Sequence, residues 1–134
     1  MRVRAGQNRR MGFVLEFGDS EVRDVVADVD VLRVRFAAAS VRDADGERGW
    51  LASVVLTLAS GAFTGDLTHA IGRIAEARVR NAGRDVLRLA LPSTLAGDLE
   101  LSLRFANGTQ LAARGQALAL TAADDARFTP DLSC

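Results

Sequence analysis

Leu99-Glu100-Leu101-Ser102-Leu103-Arg104-Phe105 alternates apolar and polar residues without a break. A period of two places Leu99, Leu101, Leu103 and Phe105 on one face of an extended chain, the pattern of a half-buried β-strand and not of an amphipathic helix. The next segment, Ala106-Asn107-Gly108-Thr109-Gln110-Leu111, carries a turn signal. A two-residue Asn-Gly turn would set Phe105 against Gln110 and mix core with solvent. A three-residue loop, Ala106-Asn107-Gly108 with Gly108 at positive φ, instead pairs Leu103 with Leu111 and Leu101 with Ala113. The apolar parity then shifts before Leu118 and Leu120, so one extra residue must be absorbed, and Gly115 is the natural bulge.

Working outward, similar alternation predicts strands near Phe13–Phe17, Val29–Phe36, Leu51–Ala59, Ile74–Arg80, Val86–Leu91 and Leu111–Leu120. A second hairpin is expected through Asn81-Ala82-Gly83, with Arg80 opposite Arg84, Ala77 on Leu87, Ala75 on Leu89, and Glu76 across from Arg88. Asp19–Asp28 fits either a helical face (Val22, Val25, Val26) or a short strand. Pro92–Gly97 reads as a connection, and Asp66 caps a helical turn over Leu67–Ile71 that Gly72 ends. Trp50 is expected to open the third strand and pack inward. The expected fold is a single all-β domain over residues 1–134, an antiparallel β-sandwich or flattened barrel of about seven or eight strands with one short helical turn.

The 134 residues are 49% hydrophobic and 25% charged, a globular balance. No run approaches the roughly 18 apolar residues of a membrane helix, and Met1–Arg10 lacks the apolar centre of a secretory signal, so a cytoplasmic protein without membrane contact is expected. The single cysteine, Cys134, allows no internal disulfide and no multi-cysteine metal site. Seventeen basic and seventeen acidic residues cancel, and every basic one is arginine, as in proteins of GC-rich bacterial genomes.

The charges are polarised. Arg2, Arg4, Arg9 and Arg10 give the first ten residues a charge of +4, whereas residues 16–30 hold six acids (Glu16, Asp19, Glu21, Asp24, Asp28, Asp30) against Arg23, a sum of −5. The two can neutralise each other within one subunit or between subunits, and the reading favoured is a homodimer in which the arginine arm of one subunit meets the acidic segment of the other. The same arm, with Arg78, Arg80, Arg84 and Arg88 on the second hairpin, is the candidate phosphate-contacting set of a nucleic-acid-associated protein, although one Trp, six Phe and no Tyr leave few stacking platforms. Arg84-x-x-x-Arg88 resembles one motif of the PilZ cyclic-dinucleotide receptors. Their second motif, Asp/Asn-x-Ser-x-x-Gly, is absent from this sequence, and the resemblance is not carried further.

His69, the only histidine, follows Asp66 by three residues, with Ser60, Thr64 and Thr68 nearby; this is the candidate pocket of a ligand-binding or hydrolytic domain. Asp43-Ala44-Asp45-Gly46-Glu47 spaces carboxylates as a cation loop can, but lacks the distal glutamate of an EF-hand and reads equally as a polar turn. No catalytic set, cofactor motif or metal site stands out. The leading expectation is a non-enzymatic protein-interaction or assembly module, binding a protein partner or itself.

Overall fold

The computed structural model describes residues 12–59, 62–123 and 126–131. Eleven strands follow in chain order: β1 (Phe13–Asp28), β2 (Val31–Arg42), β3 (Arg48–Leu51), β4 (Val54–Ala59), β5 (Ala62–Thr64), β6 (Gly72–Asn81), β7 (Arg84–Asp85), β8 (Leu89–Leu91), β9 (Ser93–Phe105), β10 (Gln110–Ala122) and β11 (Phe128–Pro130), with one 3-10 turn at Leu67–His69 between β5 and β6. All pairings are antiparallel. The order β2-β4-β10-β9-β6-β1 closes on itself through the β1–β2 ladder, forming a six-stranded barrel with five short flanking strands. The all-β expectation holds. The sandwich and the count of about seven or eight strands do not, because strands of two to four residues leave no readable period and closure depends on pairing between distant segments.

Several flanking strands prolong a neighbour. β3 and β4 meet β2 in one register, from Arg42↔Arg48 through Ala39↔Leu51 to Val31↔Ala59, interrupted only where Ser53 turns at φ 62°. β5 continues β4 along β10 in the same way. The barrel interior holds Leu99, Leu101, Leu103 and Phe105 of β9, Leu111, Leu118 and Leu120 of β10, and Leu32, Val34 and Phe36 of β2, all buried. At the β3 end, the Phe13 and Phe128 rings lie 5.4 Å apart between centroids. Trp50 is half-buried on the face of β3 opposite Leu51, not directed inward.

The β9–β10 hairpin has the expected register, Leu103↔Leu111 and Leu101↔Ala113, with Gly108 at φ 91°. Its ladder slips by one residue between Gly115 and Ala117, but the extra residue lies in β9, where Gly97 and Asp98 stand against Gln116, and not at Gly115 as expected. A Cβ on Gly115 would stand 2.7 Å from both the Ala59 carbonyl oxygen and Leu58 Cγ. Close approach of β4 therefore reserves that position for glycine.

One local expectation left open is settled as a strand, and two need correction. Residues 19–28 are strand: Val22 pairs with Phe36 and Asp24 with Arg35, so one extra residue in β1 buries both Val22 and Val25, and this bulge produces the three-residue spacing that imitates a helix face. Pro92–Gly97 is not a plain connection, since β9 begins at Ser93 and Leu95 pairs with Leu118. The second hairpin turns on two residues, Ala82 at φ 53° and Gly83 at φ 83°, so Arg80 faces Asp85 and Asn81 faces Arg84. That two-residue turn matches the natural strand twist and exchanges a like-charge pair for an opposite one. Pairing ends at Val86, whose N–H donates to the Val79 carbonyl. The chain then crosses to β1, where Leu89 pairs with Leu15, while Leu87 stays 89% exposed. Glu76 accordingly meets Arg104 of β9 instead of Arg88.

Candidate interaction cleft

β1 is the strand that opens the barrel wall. Between Glu16↔Ser40 and Glu21↔Ala38 it advances five residues while β2 advances two, so Phe17-Gly18-Asp19-Ser20 bulges out of the ladder, with Asp19 at φ 70°. On its other side the ladder of β1 with β6 is limited to Glu21↔Arg73 and Val22↔Gly72, and β1 pairs with β8 over Phe13–Leu15. β6 next gains a partner at Val79. Among the described residues, no strand is paired with its edge from Ile74 to Arg78, which faces β1 across an opening.

The result is an open cleft of about 1520 Å³ between the β1 bulge and β6. Its apolar lining includes Phe17, Ala75, Ala77 and Val86, each half-buried, and the exposed Leu87 stands on its lip. The walls are charged but largely compensated. Glu16 accepts from Arg42 at 2.7 Å and lies 3.4 Å from Arg48; Arg104 lies 2.8 Å from Glu76; and Asp85 is shared by Arg78 at 3.7 Å and Arg80 at 3.6 Å. Arg84 and Arg88 are exposed and form no ion pair among the described residues. Of the four hairpin arginines, Arg78 and Arg80 are thus brought together on Asp85, and Arg84 and Arg88 are not.

The acidic segment is engaged by its own barrel. Besides Glu16, Asp19 lies 3.6 Å from Arg73, Asp28 lies 3.5 Å from Arg33, and Asp24 accepts two bonds from Arg35 at 2.7 and 2.6 Å. The fork of bonds from Arg35 holds the Asp24 carboxyl below the usual aspartate range and raises the Arg35 guanidinium in turn. Arg2, Arg4, Arg9 and Arg10 lie outside the described residues, and so does the arm's half of the expected contact.

Asp66 caps the 3-10 turn as expected, accepting from the Thr68 N–H at 3.0 Å, and its second oxygen lies 2.6 Å from His69 Nδ1. The turn itself stops at His69, short of Ile71. The hydrogen bond with His69 is the main cause that lowers the Asp66 carboxyl, with the Thr68 N–H assisting. Both side chains are more than half exposed, at 67% for His69 and 58% for Asp66. Ser60 lies outside the described residues, and among those described no hydroxyl or thiol bonds His69; its carbonyl accepts from Asn107. The pair lies outside the cleft lining. In the β2–β3 turn, Asp43 Oδ1 accepts from the Asp45 and Glu47 N–H groups, both at 2.9 Å, so this carboxylate orders its own loop. No helix among the described residues is long and apolar enough to cross a membrane.

Reading the sequence for charge and motif missed the cleft, because its central feature is backbone left unpaired. The available signal was the apolar parity that breaks between Phe17 and Val22 beside Gly18. Comparison with protein-family models, curated proteins and solved structures finds no match to this chain.

Proposed function

We propose that this protein is a non-enzymatic interaction or assembly module of the cytoplasm, and that the β1–β6 cleft is the face that binds a protein partner. The observation that carries the reading is the unpaired β6 edge, from Ile74 to Arg78, beside an exposed leucine in a barrel otherwise closed. Closure removes edges, and an edge left open is a template for another chain. The hydrolytic alternative has less support, since a histidine oriented by an acid needs a nucleophile within reach, and Asp66–His69 points none into the cleft. The nucleic-acid alternative rests on the same hairpin arginines, two of which already share Asp85.

Site-specific photo-crosslinking tests the proposal. A benzophenone amino acid is placed at Leu87 or at Val29, which are 89% and 86% exposed, so that only location differs. In cells producing the full chain, the Leu87 position is expected to capture a discrete protein partner that the Val29 position does not. Equal capture at both positions, or capture of nucleic acid in place of protein, overturns the reading.

A further inference from the structure

Resting on that reading, we infer that the cleft takes an extended, acidic segment of the partner as an added strand along β6. The hydrogen-bonding capacity comes from Ala77. Strand alternation turns its N–H and C=O to the same side as the Val79 carbonyl, which receives Val86, and no register shift separates the two residues. Ala77 therefore presents a donor and an acceptor to the cleft, as a strand-adding peptide requires.

The shape of the opening favours a single strand over a second folded copy. The seam is shut at Glu21↔Arg73, the 86–88 segment crosses its other end, and β1 forms the facing wall. A docked barrel would bring its own β9 into the space that β1 occupies. One extended chain meets no such obstacle.

The charge of the β6 wall selects the sequence of the occupant. Of the hairpin arginines, Arg78 and Arg88 line the cleft beside Asp85, with Arg80 and Arg84 on the same hairpin outside the lining, while Glu16 and Glu76 are paired with their own arginines and Asp43 Oδ1 is occupied by its turn. A strand with small apolar residues toward Ala75 and Ala77 and carboxylates toward Arg88 complements both features.

Fluorescence anisotropy on the full chain tests this with three labelled, capped octapeptides: alternating valine and glutamate, alternating valine and lysine, and the glutamate peptide N-methylated at every residue. The glutamate peptide is expected to bind at least about tenfold more tightly than the lysine peptide, and methylation, which removes the strand's donors, is expected to abolish binding. Arg88→Glu, at an exposed position, should weaken the glutamate peptide by about tenfold with an unchanged circular dichroism spectrum. Bound peptide should also slow amide exchange at Ala77. Equal binding of the lysine or methylated peptide, indifference to Arg88→Glu, or self-association through the cleft that peptide does not displace each overturns the inference. If Leu87 crosslinks a protein but no acidic peptide binds, the interaction module stands and the acidic strand falls; if both experiments fail, both readings fall.

Discussion

The Ser20 hydroxyl accepts a 2.8 Å hydrogen bond from the backbone N–H of Ser40 and donates one of 2.7 Å to the Glu16 carbonyl. Where the β1 bulge withdraws backbone from β2, this buried side chain takes the place of the missing ladder bond. It satisfies groups that would otherwise lie unpaired in the interior. Ser20→Ala is expected to cost about 1–3 kcal/mol, the penalty for buried polar groups left without partners. Urea unfolding measures it, and a loss below about 0.5 kcal/mol would place the bulge on the surface.

Leu101 is 1% exposed and sits opposite Ala113 at the centre of the β9–β10 ladder. Leu101→Ala should destabilise the fold by about 2–5 kcal/mol, through lost transfer energy and the cavity left behind. Leu87→Ala, at a leucine of the same type left outside the core, should stay within about 0.5 kcal/mol of wild type.

Gly108 and Gly115 are required for different reasons, and substitution separates them. At Gly108, φ 91° with open space around the Cβ position makes the penalty conformational; Gly108→Ala should cost about 1 kcal/mol and Gly108→Asn less. At Gly115 the obstacle is β4 itself, so Ala and Asn should both destabilise, with alanine costing about 1–3 kcal/mol and asparagine more. Thermal unfolding of the four variants distinguishes the cases.

The Asp24–Arg35 pair makes stability depend on acid. A carboxyl whose folded pKa is depressed contributes stability that is present above its unfolded value and lost as pH falls through the folded one. The Asp24 carboxyl should therefore titrate below 3.8 by carbon-detected NMR, and Arg35→Ala should return it toward that value. The stability difference between wild type and Arg35→Ala should be constant above about pH 5 and shrink as pH drops through the range in which Asp24 protonates.

For Asp66 the partner is His69, and His69→Ala should raise the Asp66 titration midpoint while leaving that of Asp24 unchanged. The two carboxyls lie in separate hydrogen-bonded pairs. An Asp66 midpoint that does not move would show that Thr68 alone holds the carboxyl.

What the sequence by itself determined is local. The parity change before Leu118 located a slip near Gly115 but not the strand that carries its extra residue, whereas Leu99 to Phe105 set the buried face of β9 and Gly108 set the turn that keeps Leu103 on Leu111. Each follows from a period of two and from the few conformations a short turn allows. The hairpin at Ala82-Gly83 lay beyond that reasoning, because the three-residue loop expected there gave acceptable pairs of its own, Ala77 on Leu87 and Ala75 on Leu89, which the chain forgoes by leaving for β1 after Val86. Only the tertiary structure decided that β1 would reach both β2 and β6 and close the barrel, that Glu16, Asp19, Asp24 and Asp28 would find arginines on β2, β3 and β6, and that the edge from Ile74 to Arg78 would be left unpaired. Alternation specifies which side of a strand faces the core; it carries no information about which distant strand lies along its edge, since the backbone groups that join strands are the same at every residue.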